Sequence, residues 1–385
     1  MPRGFGWQSA SQKHYDGGPA LIETADDLRN LINGGFLKGS GSRVTFLGVV
    51  TERGSDRRKV IANSSRRTNS CRRLPFGVGI LHGMVDGRLA HLVFNPAADK
   101  GRAVARRRGI HEYLEARGAE VVWHVTEGPG DARRIVSGLP DRALVLAVGG
   151  DGTVHEVAAA CVRTGRVMGV LPVGSGNDYV KALGIGTDLG RDLEIVVGGK
   201  IRSVDAGEVN GIRFNNGLGI GFDAEVAAGV VRAPKYLGGF GRYLWSVGRL
   251  LWSFECYGAR IKLASGEEIS AETALVAVAL GTTYGARFRV APEASLEDGA
   301  FDVVWSEEVS RAEVLRLVPA VLRGTHLTHP KVHSTRASEV EVHLEKPTLA
   351  QVDGEVLSPT RNFRARVLPN ALRVLAPRTQ PEPFP

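Results

Sequence analysis

Three features of this chain predict an α/β protein of two domains, an open parallel α/β domain followed by a mainly antiparallel β-sandwich domain. From about residue 84 to residue 205, short continuous apolar runs alternate with stretches of helical periodicity, the mark of a parallel sheet covered on both faces. Beyond about Val204 the runs lengthen and begin to alternate apolar with polar residues, as antiparallel strands with one wet face do. Glycine supplies 49 of 385 residues without a Gly-X-Y period, so the excess points to tight turns and backbone-lined ligand loops rather than a fibre.

Residues 1–83 follow neither period. They hold Ser-, Arg- and Asn-rich stretches such as NSSRRTNSCRR, which cannot pack a core. Met84 opens the first regular segment, MVDGRLAHLVFNP, and is expected to be the natural start. Residues 1–83 are then an upstream over-extension or a dispensable, disordered basic arm. Residues 91–94 read as a short strand, and 102–117 as a helix with Ile110, Tyr113 and Leu114 on one side. Residues 120–125 are a β-branched strand, 131–139 helical, and 143–148 (ALVLAV) a buried strand. A helix at 153–162 and a buried strand at 167–173 complete the pattern. In the second domain, strands are expected at 212–216, 257–263, 268–280, 301–305, 339–344 and 363–367, with helices at 238–254 and 311–323. The Pro-rich end, 378–385, reads as a flexible tail.

The net charge of +8 lies almost wholly at the N-terminus, where residues 1–85 carry thirteen basic side chains against six acidic ones. The main body therefore offers no electrostatic footprint for nucleic acid. Cys71, Cys161 and Cys256 are too far apart for a CxxC pair or a zinc spacing and read as reduced thiols of a cytoplasmic protein. No signal-peptide core and no apolar run of about 18 residues occurs.

The chemistry concentrates in two turns. The strand ALVLAV runs into Gly149-Gly150-Asp151-Gly152-Thr153 and a helix follows at once. Backbone N–H groups at such a helix start close on phosphate where no Cβ obstructs them, and Asp151 adds a carboxylate suited to a Mg²⁺-phosphate. The alternative is a tight turn with Asp151 as N-cap. The next strand repeats the design, ending in Gly174-Ser175-Gly176-Asn177-Asp178 before another helix. Two such turns at the carboxyl ends of successive parallel strands can converge on one ligand. No GxxxxGK[ST] loop exists, which excludes a P-loop enzyme.

GGDGT, GSGNDYVKAL and Val352-Asp353-Gly354-Glu355 occur in the order found in the diacylglycerol kinase catalytic-domain family, soluble bacterial lipid kinases related to sphingosine and ceramide kinases. Asn95-Pro96, Thr126-Glu127-Gly128 with Asp131-Ala132, Val204-Asp205-Ala206-Gly207 before Asn210, Leu296-Glu297-Asp298-Gly299, Arg323-Gly324-Thr325-His326 and His329-Pro330-Lys331-Val332 also match. The chain resembles that family from about residue 89 to 377. The resemblance implies ATP-dependent phosphorylation of a lipid hydroxyl. Asn95, Pro96, Ala97, Ala98, Asp99, Thr126, Gly149, Gly150, Asp151, Gly152, Thr153, Val154, His155 and Ser175 would hold the nucleotide. Glu355 would be the general base. Ser295, Asp298 and Ala300 match a structural metal site, and Asp151, Asp178 and Asp205 a water-linked acidic network around the catalytic Mg²⁺. Phosphoryl transfer suits this equipment, since it needs held phosphates, neutralised charge and an oriented nucleophile.

One departure stands out. The family usually writes its first loop NPxSG, whereas this chain reads Asn95-Pro96-Ala97-Ala98-Asp99-Lys100-Gly101. An Asp near ATP phosphates is repulsive unless Lys100 or a metal offsets it. Two other features invite functional readings. His326, His329 and His333 have helical ligand spacing, but Pro330 interrupts it, and hydrogen-bonded loop histidines are expected, with Lys331 either a phosphate contact or, as expected here, a solvated surface charge. Phe240, Leu244, Val247, Leu251 and Phe254, flanked by Trp245 and Trp252, form an amphipathic stripe. It fits either a bilayer surface or, as expected here, packing on the second domain's sheet.

The resulting expectation is a lipid kinase using ATP and Mg²⁺. Its nucleotide domain spans 84–205 plus 357–377, its lipid-substrate domain 206–356, and the active site lies in the cleft between them. The partner is a diacylglycerol-like or sphingoid-like lipid, with transient peripheral contact at the inner membrane face, no nucleic acid, and an oligomeric state left open, a homodimer included. The alternatives are an NAD kinase-like phosphotransferase and a non-catalytic nucleotide-sensing regulator.

Overall fold

A computed structural model of the chain describes residues 89–378, apart from Ser175, Thr187, Lys235, Ala286, Arg287 and the side chain of Phe240. The expected basic arm and residues 379–385 of the expected tail lie outside the described residues. The described residues belong to one compact unit, Gly79–Pro385.

Four parallel strands lie side by side in the order β2 (Glu120–Val125), β1 (Leu89–Phe94), β3 (Leu144–Gly149), β4 (Val167–Pro172). β3 and β4 are buried along their whole length, which is why they read as unbroken apolar runs. Side chains leave β1 in alternation. Ala90, Leu92 and Phe94 pack with Ile110 and Leu114 of α1 (Ala103–Glu115) and with Leu193 and Val196 of α5 (Leu189–Gly198). Val93 faces the opposite side, with Val136 of α2 (Asp131–Ser137), Val157 of α3 (Asp151–Cys161) and Val180 of α4 (Asp178–Ala182). Helices therefore cover both faces, as expected.

The remaining strands are β5 (Lys200–Val209), β6 (Ile212–Phe214), β7 (Gly217–Gly221), β8 (Tyr257–Leu263), β9 (Glu268–Thr273), β10 (Leu275–Ala279), β11 (Phe301–Ser306), β12 (Val332–Ala337), β13 (Glu339–Val352) and β14 (Glu355–Ala376). Their mutual pairings are antiparallel. Arg373 and Val374 of β14 pair in parallel with Val167 and Met168 of β4, so β14 carries the antiparallel half into the parallel sheet. The larger hydrophobic core follows it, running from Val93 through Phe214 and Val278 to Val374. The fold is α/β, with a parallel sheet core and antiparallel strands in a C-terminal β-sandwich-like part.

Several elements differ from expectation. The strand expected at 268–280 is two, because Thr273 Oγ1 bonds the N–H and C=O of Leu275 while Ala274 N–H donates to Ser306 Oγ. Those bonds turn the chain, and β9 pairs β8 while β10 pairs β7 and β11. β5, β7 and β12 were not anticipated as strands. The helix expected at 153–162 starts at Asp151. Helix α7 (Gly239–Leu250) packs on α6 (Phe222–Val230), with Ser246 Oγ donating to Val226 O beside Gly229, where a Cβ would lie 2.0 Å from that hydroxyl. This leaves Leu244 and Trp252 exposed. No helix among the described residues is long and apolar enough to cross a membrane.

Candidate active site

The carboxyl ends of the parallel strands hold the first group of residues singled out above, as the rule for open α/β sheets requires. β3 ends at Gly149, and Gly150 leads into α3. A Cβ on Gly149 would strike Thr153 Cβ at 2.5 Å. β4 leads into the second turn, where a Cβ on Gly174 would lie 2.5 Å from Gly150 Cα and one on Gly176 would lie 2.3 Å from Asp151 Oδ2. The two turns therefore touch backbone to backbone, and only glycine allows it.

Asp151 locks that contact. Its Oδ2 accepts the Asn177 N–H at 2.8 Å and its Oδ1 the Asp178 N–H at 2.7 Å. One carboxylate thus starts α3 and caps α4. Gly152 on the first turn of α3 faces open space, beside first-turn N–H groups that suit an anion.

β1 contributes Asn95, whose Nδ2 donates to Thr153 Oγ1 at 3.1 Å and whose Oδ1 accepts the Ala97 N–H at 2.9 Å. Pro96, Ala97 and Ala98 follow in the same loop, and the N–H of Thr126 from the end of β2 donates to Phe94 O at 2.9 Å. The extra residues of this loop are absorbed by three consecutive positive φ angles, at Asp99, Lys100 and Gly101. The charge of Asp99 is met by Arg102 at 2.6 Å and Arg106 at 3.9 Å, not by Lys100. Ser175 lies outside the described residues.

The second group centres on the turn between β13 and β14. Val352 pairs with Glu355 across Asp353 and Gly354, whose φ angles are 48° and 91°, as in a two-residue Asp-Gly hairpin. The Asp353 carboxylate is buried and accepts the N–H groups of Asn215, Asn216 and Gly217, each at 2.9 Å, and His155 Nδ1 at 2.7 Å. His155 lies on α3 with 1% of its side chain exposed, and its Nε2 is 3.7 Å from Glu355 Oε2. Burial alone would push this imidazole down. The Asp353 hydrogen bond and charge, with the Glu355 charge behind them, outweigh burial and the opposing Arg133, so the pKa is raised. Glu355 itself is half exposed.

A further hydrogen-bond chain reaches this turn. Gly354 N–H donates to Gln351 Oε1 at 2.6 Å, Gln351 Nε2 to Asp223 Oδ2 at 2.6 Å, and Tyr243 Oη to Asp223 Oδ1 at 2.9 Å. Tyr243 and Asp223 line an apolar pocket of about 120 Å³ with Val247, Phe288, Val318 and Val321 among its walls. Burial, opposed by the Gln351 and Tyr243 hydrogen bonds, pushes the Asp223 carboxyl up.

Other singled-out residues fall elsewhere. Asp205 accepts the N–H groups of Gly299 and Asn370, each at 2.8 Å, and so ties β5 to the loop before β11 and to β14. Burial, then the charges of Asp353 and Asp205, raise the pKa of the neighbouring Tyr179 hydroxyl, with Arg202 opposing. Asp178 pairs with Lys181 at 3.2 Å. His326, His329 and His333 turn to three separate partners, Val290 O, the Lys331 N–H and Glu307. Lys331 is a surface charge, as expected, and it pairs with Glu313 at 2.9 Å.

Comparison with known proteins matches residues 89–209 to the diacylglycerol kinase catalytic domain and residues 217–376 to the YegS C-terminal NAD kinase beta sandwich-like domain. A diacylglycerol kinase of Bacillus subtilis is 31% identical over 273 residues, covering 69% of this chain and 89% of that protein. This chain belongs to the diacylglycerol kinase family. A diacylglycerol kinase of Mycobacterium tuberculosis is 30% identical over 295 residues, 74% of this chain and 94% of the relative. A crystal structure of a diacylglycerol kinase from Bacillus anthracis shares the fold with a TM-score of 0.57 and 19% identity, over 75% of this chain and 97% of that one.

The family implies Mg²⁺. Among the described residues, no group of three or more His, Cys, Asp or Glu is arranged to hold a metal ion. The Asp151 carboxylate, hard oxygen at the glycine cradle with lone pairs beyond its two backbone bonds, fits Mg²⁺ through water. Asp298 Oδ2 is taken by the Arg336 guanidinium and Oδ1 by the Ala300 N–H, while Ser295 Oγ takes the Glu297 N–H.

Asp353, Gln351, Asp223 and Tyr243 were not singled out from the sequence as site residues. Their only signal was the Asp-Gly pair itself.

Proposed function

We propose that the chain is an ATP-dependent lipid kinase that transfers the γ-phosphoryl group to the hydroxyl of a diacylglycerol-like or sphingoid-like lipid. The observation that carries this reading is the Asp353 carboxylate, which joins the helix rising from the glycine cradle to the turn bearing Glu355. In this reading the triphosphate lies on the N–H groups at the start of α3, with Asn95 and Thr153 holding the cradle's rim. Mg²⁺, when bound with ATP, neutralises phosphate charge. Asp151, and through it Asp178, keeps the two turns in register. The lipid chain enters the apolar pocket beside Tyr243, and its hydroxyl meets Glu355, which takes the proton as the oxygen attacks.

The test measures ATP consumption by the purified chain with total lipid extract, with NAD, or with no acceptor, identifying products by mass. Lipid-dependent consumption supports the proposal; NAD phosphorylation favours the NAD kinase-like reading, and nucleotide binding without turnover favours a regulator. Glu355→Gln should lower kcat by about 100-fold or more while leaving folding and ATP affinity close to wild type. Near-normal turnover would remove Glu355 as the base.

A further inference from the structure

We propose that His155 is the positioning residue of Glu355: held through Nδ1 by Asp353, its ring presents Nε2–H to the Glu355 carboxylate and keeps it aimed at the acceptor. The inference deepens the kinase reading and rests on it for the role of Glu355, but the ion pair itself stands on geometry alone.

The protonation pattern follows from the partners. Asp353 accepts three backbone N–H groups, one on Oδ2 and two on Oδ1, so it serves this corner of the fold as an acceptor. His155 Nδ1, 2.7 Å from that carboxylate, therefore carries a hydrogen. Nε2 is buried and has no hydrogen-bond partner among the described residues; the group it faces is Glu355 Oε2 at 3.7 Å. A bare Nε2 lone pair there would oppose a carboxylate lone pair, whereas Nε2–H⁺ meets it as a counterion at contact range. Two anions, Asp353 and Glu355, thus bracket one ring from the β13–β14 turn, while Arg133 of α2 is the one cationic influence against it. A ring with 1% of its side chain exposed has no free face for a nucleotide, so the contact expected from its motif position is better filled by the backbone of its helix. Asp353 and Glu355 differ accordingly: one is locked and buried, the other is half exposed and free to meet a substrate.

The ring's titration in the full-length chain, followed by ¹⁵N NMR of the imidazole, tests the pair without requiring turnover. Both ring nitrogens should be protonated at neutral pH, and the His155 midpoint should fall in Glu355→Gln and fall further in Asp353→Asn. An identical midpoint in wild type and Glu355→Gln, or an unprotonated Nε2 at neutral pH, overturns the proposal. Because Glu355 is half exposed, that comparison decides even if Asp353→Asn does not fold. In turnover, His155→Gln should lower kcat about tenfold or more at neutral pH with the KM for ATP within about twofold. Its kcat–pH profile should differ from wild type, because the ring that faces Glu355 has been removed. A raised KM for ATP with an unchanged kcat profile would make His155 a nucleotide contact and sink the idea. A wild type that turns over no lipid would remove the kinase reading while leaving the titration to judge the ion pair.

Discussion

Single carboxylates do two kinds of work in this protein. Asp151, Asp205 and Asp353 each spend both oxygens on backbone N–H groups from distant segments, so each acts as a rivet. Glu355 has no backbone hydrogen bond among the described residues and is half exposed, which leaves its oxygens available for the proposed proton transfer. Which Asp would be a rivet was not legible in the sequence, because His155 and Asp353 are 198 positions apart and only folding brings them together. Asp302 of β11 shows the opposite condition: its Oδ2 is buried without a hydrogen-bond partner among the described residues, and burial, then Glu293, push its pKa up to about 6. A raised acid favours the protonated folded state, so its penalty is absent below the unfolded value near 3.8 and grows as pH rises to about 6. Asp302→Asn should therefore raise Tm by a few degrees at neutral pH and leave it nearly unchanged near pH 4, where the wild-type side chain is already mostly protonated. Equal effects at both pH values would show that packing, not ionisation, sets the difference.

Among elements, the parallel strands and the glycine turns were readable because both faces of each strand are covered and each turn needs a residue without Cβ. The break between β9 and β10 was not readable. Thr273 and Ser306 make it, and they meet only when β11 lies alongside. The contact of the two turns can be tested directly. Gly174→Ala puts a methyl 2.5 Å from Gly150 Cα, against backbone that cannot rotate away, so the turns must separate. ATP affinity should fall about tenfold or more, with a far-UV spectrum like wild type. Unchanged affinity, measured by calorimetric titration, would show that the second turn does not shape the nucleotide site.

For the described body as a whole, β14 is the connecting member. It pairs with β13, β5 and β4, and the larger core crosses from the parallel to the antiparallel half with it. Shared core and shared strand make independent melting unfavourable. A protein spanning residues 84–385 should unfold in one calorimetric transition, moving to higher temperature with Mg-ATP. Two transitions, with one alone responding to nucleotide, would contradict this coupling.

Local rules were enough to read the α/β order, the two glycine turns at the strand ends and the family, because apolar period, glycine and motif order act within a few residues of chain. The antiparallel pairings of β5, β7 and β12, the Arg102 counterion of Asp99, the Arg336 partner of Asp298 and the Asp353–His155–Glu355 cluster emerged from folding. Hydrogen bonds and ion pairs act over a few ångströms of space, whatever the distance along the chain, so partners far apart in sequence are chosen by packing.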